Sequence, residues 1–391
     1  MARIIVLNLG STSFKYKLFD IGTTEVMLAT GGVERIGALK GRYFIRAGDA
    51  MCEGMSTCPT HVDAFELCLK MLEKMGISTV LKTLDAVGYK AVHGGAISGA
   101  QRVDEVLLEQ MESMVSFAPA HNPVYIDMMQ LIRERHPSLL QIACFETSFH
   151  AMMPLERAIY GVPYEWVQQY GIRRYGFHGS SHSYIAWKMQ QVAKDMSRVI
   201  SAHLGGSSSL CAILNGKSIA TSMGATPQSG LFQNNRVGDF DVFCLPVLVE
   251  RFGSQEAVMK QLSTNGGFMG ISGVSNDMRE VREAAAKGNK RAALAVAAFA
   301  DDIVGYIGMF TAYLGGLDAL VFTGGIGQND TQLRQTICAK LGFVGAKLDE
   351  PRNIHNCAGC ISTAESGIAV WVLETNEELM VARECVEFLC I

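Results

Sequence analysis

No stretch of the chain reads G-x-x-x-x-G-K-[ST], and no G-x-G-x-x-G follows its first predicted strand into a helix. A P-loop kinase and a conventional dinucleotide-binding fold are excluded on that ground. Charge is scarce: charged residues make up 18% of the chain, and 34 basic against 38 acidic residues leave a net charge of -4. That balance offers neither nucleic acid nor an anionic membrane a basic surface. The 11 cysteines are odd in number and fall without a spacing pattern, which argues against a disulfide framework and suits a reducing cytoplasm. Cys357-Ala-Gly-Cys360 is a lone C-x-x-C with no second pair to complete a metal site. The N-terminus has no basic segment followed by an apolar core, and Ile4 to Leu7 reads as a strand rather than a signal peptide. The most apolar long stretch, AALAVAAFADDIVGYIGMFTAYLGGL, carries Asp301 and Asp302 at its middle, so it predicts a buried alanine-rich helix rather than a membrane span.

What is present is an ordinary globular composition, 49% hydrophobic over 391 residues, long enough for two cores. In RIIVLNLGSTSFKYKLFD two apolar runs are joined by Gly10-Ser11-Thr12-Ser13, with Asn8 before the turn and Lys15 after it. Small hydroxyl donors beside one cation suit an anion; taken alone, the stretch also reads as a plain polar hairpin. The pattern recurs in RVISAHLGGSSSLCAILNGKSI, where His203 stands for Asn8 and Leu204-Gly205 for Leu9-Gly10. After one inserted glycine, Ser207-Ser208-Ser209 stands for Ser11-Thr12-Ser13. A repeated strand-turn-strand unit predicts a duplication with one copy per domain, the two turns gripping a polyphosphate.

Between the copies, elements alternate in the α/β manner. Val62, Phe65, Leu69 and Leu72 recur at helical spacing, and Gly76 stops that helix. LDAVGYKAVHGG reads as a strand ending in a Gly-Gly turn, and SLLQIACFE as a buried strand ending at Glu146. Asn122-Pro123 predicts an N-cap and first helical residue, with Val124, Met128 and Leu131 facing inward. LDALVFTGGIGQND reads as strand, glycine turn and helix start. Ligands in open α/β sheets bind where strands end. Asn8, Lys90, His93, Glu146, His178, His203 and the turn after Thr323 all stand at such places.

Three motifs invite a chemical reading, each beside a structural one. GFHGSSH sets His178 and His182 at a zinc-like spacing, but the glutamate of H-E-x-x-H is missing and Gly176 and Gly179 argue against a helix. Arg236 in NNRVGDFD is a surface ion-pair residue or a clamp on a transferring phosphoryl group. FTGGIGQND is a generic strand-helix turn or one that admits a nucleotide close to the backbone.

Taken in order, NLGSTSFK, VHGG, APAHNP, FETSFH, RRYGFHGSSH, HLGGSSS, TSMGATPQSGL, NRVGDFD, SGVSNDMRE, FTGGIGQN and TNEELMVARE give a chain that resembles the acetate kinase family over essentially its whole length. The resemblance implies two duplicated actin-like (ribonuclease H-like) α/β domains with a nucleotide cleft between them. These are 1–150, completed by a C-terminal helix over 376–391, and 151–375, which carries the nucleotide contacts and a homodimer interface. It implies reversible, ATP-dependent phosphorylation of acetate or a close homologue, with Mg2+ (or Mn2+) and ATP/ADP, in the cytoplasm. By position, Asn8 and Glu377 match metal-side residues, and His178 and Arg236 match the pair that stabilises the phosphoryl group, with His121 beside them. Lys15, His203, Gly205, Gly206, Ser207, Asp277, Met278, Arg279, Gly325, Ile326, Gly327, Gln328 and Asn329 match nucleotide contacts. Val92, Ala120, Phe177 and Pro227 fall where the family lines its acyl pocket.

This sequence departs from the family inside the site. Lys90 stands for an arginine, which loses a two-pronged grip on carboxylate. Glu146 stands for the catalytic aspartate. Its extra methylene moves the carboxylate about 1.5 Å on a fixed backbone, a shift worth about a hundredfold in rate unless the site adjusts. Gly206 and Ser207 replace Asn-Gly, and Gln328 replaces a glutamate. Ala120, where leucine is common, leaves room for a longer acyl chain. Three readings remain: an active kinase with Lys90 and Glu146 mutually adjusted; a kinase of a bulkier acid or one using pyrophosphate; and a non-catalytic binding paralogue.

Overall fold

In the computed structural model, which describes residues 1–77, 80–355 and 358–389, the chain forms two compact units, Met1–Ser148 with the segment from Asn376, and Phe149–Thr375. The first unit is built on an eight-stranded sheet ordered β5-β4-β3-β2-β1-β6-β8-β7. Its strands are β1 Ala2–Gly10, β2 Ser13–Ile21, β3 Glu25–Glu34, β4 Gly41–Ala47, β5 Ala50–Ser56, β6 Ala86–Ala91, β7 Ala100–Arg102 and β8 Gln141–Phe145. β1 pairs antiparallel with β2, but parallel with β6, which pairs parallel with β8. Parallel strands need both faces covered, and β1, β6 and β8 are accordingly apolar almost throughout. Helices His61–Lys74 and Asn122–Arg135 pack on one face through Phe65, Leu72, Met129 and Ile132. The C-terminal helix Glu377–Phe388 packs against β1, β2, β6 and β8. Gly88 permits its approach, since a Cβ there would meet Cys385 Sγ at 2.7 Å.

Among the described residues, the second unit carries six strands ordered β11-β10-β9-β12-β14-β13. They are β9 Arg198–Leu204, β10 Ser208–Leu214, β11 Lys217–Thr221, β12 Ala319–Thr323, β13 Gly359–Cys360 and β14 Ala369–Val372. β9 pairs antiparallel with β10 and parallel with β12, which pairs parallel with β14. This repeats the first sheet's arrangement of β3-β2-β1-β6-β8 with the same strand directions, so the duplicated turn sits in the same topological place in both sheets.

Several local expectations are corrected. The cap of helix Asn122–Arg135 is His121, not Asn122. Asn122 is buried, and its amide donates to the carbonyls of His93 and Met111, both at 2.9 Å. The inner face is Tyr125, Ile126, Met128, Met129 and Ile132, with Val124 and Leu131 on its flanks. GFHGSSH does enter a helix, Gly179–Val192. Gly179 is the first helical residue, and the entropic penalty of glycine applies to the helix interior. Gly324 and Gly325 likewise open a short helix, Gly324–Asn329, rather than forming a separate turn. The apolar helix Lys290–Leu314 buries one stripe, including Phe299, Ile303, Ile307 and Phe310, and exposes Leu294 and Met309 on the other side. Asp301 sits outside, in an ion pair with Lys340. Burial, with Asp239 nearby, pushes Asp302 up to about 6 despite the N–H it accepts from Phe232. Cys360 is half-buried, and Cys357 lies outside the described residues.

Candidate active site

In the first unit, the parallel strands β1, β6 and β8 deliver their functional residues at their carboxyl ends. Lys90 lies on β6 opposite Cys144, and the N–H of Glu146 donates to the carbonyl of Ala91 at 2.8 Å. Lys90 and Glu146 are thus set on neighbouring strand ends by register alone. The Lys90 ammonium forms an ion pair with Glu377 at the first turn of the C-terminal helix, both side chains being only 15% exposed. Burial by itself would lower this lysine; the charges of Glu377 and then Glu146 outweigh it and hold the ammonium charged. Next to it, Lys17 pairs with Glu378 at 3.0 Å and donates to Asn376 Oδ1 at 2.9 Å. The Asn8 amide donates to Glu378 Oε1 at 3.3 Å. Burial would raise Glu378, but Lys17 and Lys90 prevail and hold it below the usual carboxylate range.

The remaining expected residues of this unit divide. Lys15 stands opposite Asn8 in the β1–β2 register but is exposed. Val92 and His121 are half-buried, and Ala120 is exposed. Lys17 and Glu378 were not expected. Their signals were present: Lys17 shares a strand face with Lys15, and Glu378 adjoins Glu377 in TNEEL.

In the second unit, a histidine-serine network surrounds the repeated turn. His178 holds φ 57° and ψ 29°, a left-handed conformation that non-glycine residues seldom adopt, and caps helix Gly179–Val192. Its Nδ1 lies 2.8 Å from Ser209 Oγ. The same hydroxyl is 2.9 Å from His182 Nε2, while His182 Nδ1 is 2.9 Å from Ser201 Oγ. Burial, then the neighbouring His150 and His203, push His182 well below the usual histidine range, so it is neutral. With both ring nitrogens engaged, His182 is no zinc ligand. The ring of His203 stacks on His178 with centroids 4.4 Å apart, and its Nδ1 meets Ser181 Oγ at 2.8 Å. Arg236 Nη1 donates to Ser207 Oγ at 3.2 Å and to Pro227 O and Gln233 Oε1, both at 3.3 Å. Burial lowers this guanidinium. Phe177 and Pro227 are buried.

A pocket of about 780 Å³ opens in the same unit beside the Gly205-Gly206 turn. Asp277, Met278 and Arg279 line it, together with Gly325, Ile326 and Asn329. Asn234, Arg282 and Asp330 also line it and were not expected. Asp277 has a structural task as well, capping helix Met278–Ala286 through the Arg279 N–H. Gly327 and Gln328 are not among the lining residues. The carbonyl of Gly327 is taken by Arg334 Nη1 at 2.8 Å, and the Gln328 side chain reaches toward Leu373 O. Gly325, near the start of helix Gly324–Asn329, and the Gly205-Gly206 turn let a ligand approach the backbone closely, and the pocket beside them has the volume of a nucleoside-sized ligand.

Comparison with known proteins places this geometry in a family. The sequence profile of the Acetokinase family matches residues 3–383. A propionate kinase from Citrobacter rodentium is 40% identical over 98% of this chain and 96% of its own length. An acetate kinase from Dictyoglomus thermophilum is 42% identical, covering 98% of each chain. Among solved structures, the acetate kinase of Porphyromonas gingivalis superimposes with a TM-score of 0.89 at 34% identity over the whole of both chains. A propionate kinase from Francisella tularensis gives 0.90 at 36% identity, covering 98% of this chain and 99% of the other.

Proposed function

The chain belongs to the Acetokinase family and is a phosphotransferase of the acetate and propionate kinase type; on that premise we propose that it transfers the γ-phosphoryl group of ATP to a carboxylate of two or three carbons. A carboxylate oxygen forms the new O–P bond as the bond to the β,γ-bridging oxygen breaks, giving acyl phosphate and ADP. The observation that carries this reading is Lys90, a largely buried ammonium at the end of β6, two residues before half-buried Val92. A cation beside an apolar side chain is what a short fatty acid requires.

An ionised carboxylate needs no general base. The chemistry needs alignment and neutralisation of the charge on the equatorial oxygens. Arg236 and a proton on His178 Nε2 supply that neutralisation, and the buried environment of Arg236 strengthens its effect. His121 and Glu146 are proposed to complete the catalytic set. Val92, Ala120, Phe177 and Pro227 are proposed to face the acyl chain. The size of the pocket beside Gly205 and Gly325 favours ATP over pyrophosphate as donor, with Asp277 to Arg279 and Asn329 at its wall.

The oxygens of Glu377, Glu378 and Asn8 are hard donors, which fits Mg2+ or Mn2+ held by one or two carboxylates together with phosphate. When bound, such an ion neutralises phosphate charge. A homodimer is part of the proposal: the segment from Phe240 to Phe252 exposes Phe240, Val242, Phe243 and Val247, with Phe243 85% exposed.

The test is acyl hydroxamate formation with Mg-ATP and acetate, propionate, butyrate or branched acids. Product from acetate and propionate, fading with butyrate and absent with branched acids, is expected. Silence with every acid, from protein that binds ATP, would refute the reading.

A further inference from the structure

The carboxylates assigned above to the divalent ion are already answered by lysines. Lys90 pairs with Glu377 and Lys17 with Glu378, each pair mostly withdrawn from solvent. Glu146 adds its charge from the neighbouring strand end. A substrate carboxylate entering alone would add negative charge beside these carboxylates in a poorly solvated place, and a divalent cation entering with it would offset that charge.

The identity of residue 90 sharpens the point. An arginine fork can hold one carboxylate along one edge and a second along another. An ammonium is a compact point charge, and its strongest attraction goes to one partner at a time. Lys90 therefore has to choose between Glu377 and an incoming acid. When the acid takes the ammonium, Glu377 loses that counter-charge, which raises its attraction for a cation. When a cation takes Glu377, the ammonium is released to the acid.

We propose that Lys90 is a positioning residue that couples the two sites, so that a short-chain acid and a divalent cation each strengthen the binding of the other before any nucleotide arrives. The proposal rests on the reading of this chain as an acid kinase with the ion at Glu377 and Glu378. The coupling is reciprocal by thermodynamic necessity.

The experiment titrates the full-length chain with Mn2+ as probe ion, free Mn2+ being read by electron paramagnetic resonance, without nucleotide, with and without saturating propionate. In the wild type propionate tightens Mn2+ binding by about fivefold or more. In Lys90→Met, Mn2+ binds more tightly than to wild type in the absence of acid, and propionate no longer changes it. In Lys90→Arg, whose fork can serve both partners and which keeps the charge if Lys90→Met fails to fold, the coupling falls to less than half of the wild-type factor. Equal Mn2+ affinity with and without propionate in the wild type overturns the proposal. So does a coupling undiminished in Lys90→Arg, or a nucleotide-free chain that binds no Mn2+. Hydroxamate formation on the same preparation separates the two levels. Turnover without coupling sinks only the role of Lys90, whereas no acyl phosphate from any acid sinks the underlying reading.

Discussion

Replacing Ser209 by alanine tests whether the buried hydroxyl sets the proton on His178. Ser209 is fully buried and joins His178 Nδ1, at 2.8 Å, to His182 Nε2, at 2.9 Å. A neutral His182 has one ring proton, so the chain of bonds has two polarities. If His182 donates to Ser201, then Ser209 donates to His182 and accepts from His178 Nδ1, which leaves His178 Nε2 without a proton. If Ser201 donates to His182, then Nε2 of His182 donates to Ser209 and Ser209 donates to His178 Nδ1. Only this second polarity makes a neutral His178 a donor at Nε2, as the proposed contact with the phosphoryl oxygens requires. Ser209→Ala removes both bonds and leaves His182 Nε2 buried without a partner, a loss of about 2–3 kcal/mol of stability. With the ring no longer fixed, kcat should fall about 10- to 100-fold. KM for the acid should stay within about twofold, because that carboxylate is assigned to Lys90 and the variant removes no charge. Ser209→Thr, which keeps the hydroxyl on a strand that tolerates branching, should recover most of kcat. Steady-state kinetics with propionate and ATP decide the matter. A Ser209→Ala enzyme with kcat within twofold of wild type refutes the relay, as does a Ser209→Thr enzyme no better than the alanine variant.

Two buried groups should give opposing pH dependences of stability, both of them below neutrality. His150 is buried neutral and pushed down to about 4, so between pH 6.5 and that value the unfolded chain binds the extra proton and about 3 kcal/mol is lost as pH falls. Burial pushes Glu384 up to about 7, so between 4.5 and 7 the folded chain holds the extra proton and stability falls by about 3 kcal/mol as pH rises. Urea midpoints should show Glu384→Gln stabilising at pH 8 and not at pH 4.5; an equal effect at both would refute the assignment. Ser207→Gly takes one of three anchors from Arg236 Nη1 and should lower kcat about three- to tenfold; a rise in kcat would mean that Ser207 restrains the arginine. If the proposed homodimer uses this face, Phe243→Asp should shift the protein toward monomer in light scattering after gel filtration, and an unchanged mass would remove that face from the proposal.

The fold was legible wherever local periodicity and chain punctuation decide it. The stripe Val62, Phe65, Leu69, Leu72 became the buried face of a helix with a Thr60–Asp63 capping box, and Gly76, at φ 89°, follows its end. The internal repeat translated directly into two hairpins at equivalent places in two sheets. What failed locally failed because tertiary partners overrode propensity. Asn122 has a good capping side chain, but interior carbonyls of His93 and Met111 claim it. Gly179 looks like a breaker, but at the first helical position it breaks nothing.

The strand-end positions of the candidate residues were legible in the sequence, and their pairing was not. No local pattern links Lys17 to Asn376 or Lys90 to Glu377, because the sheet register and the docking of the last helix create those contacts. The relay around His178 is different, since part of it could have been read. Period two puts Ser201 and His203 on one face of β9, and the hairpin register sets Ser209 opposite His203. A core strand that spends one buried face on serine and histidine instead of valine and isoleucine gives up apolar burial there. Buried hydroxyls and imidazoles must find partners, so such a face implies a polar network behind it before any distance is known. The sequence motif GFHGSSH supplies that partner, and its second histidine belongs to the serines rather than to a metal.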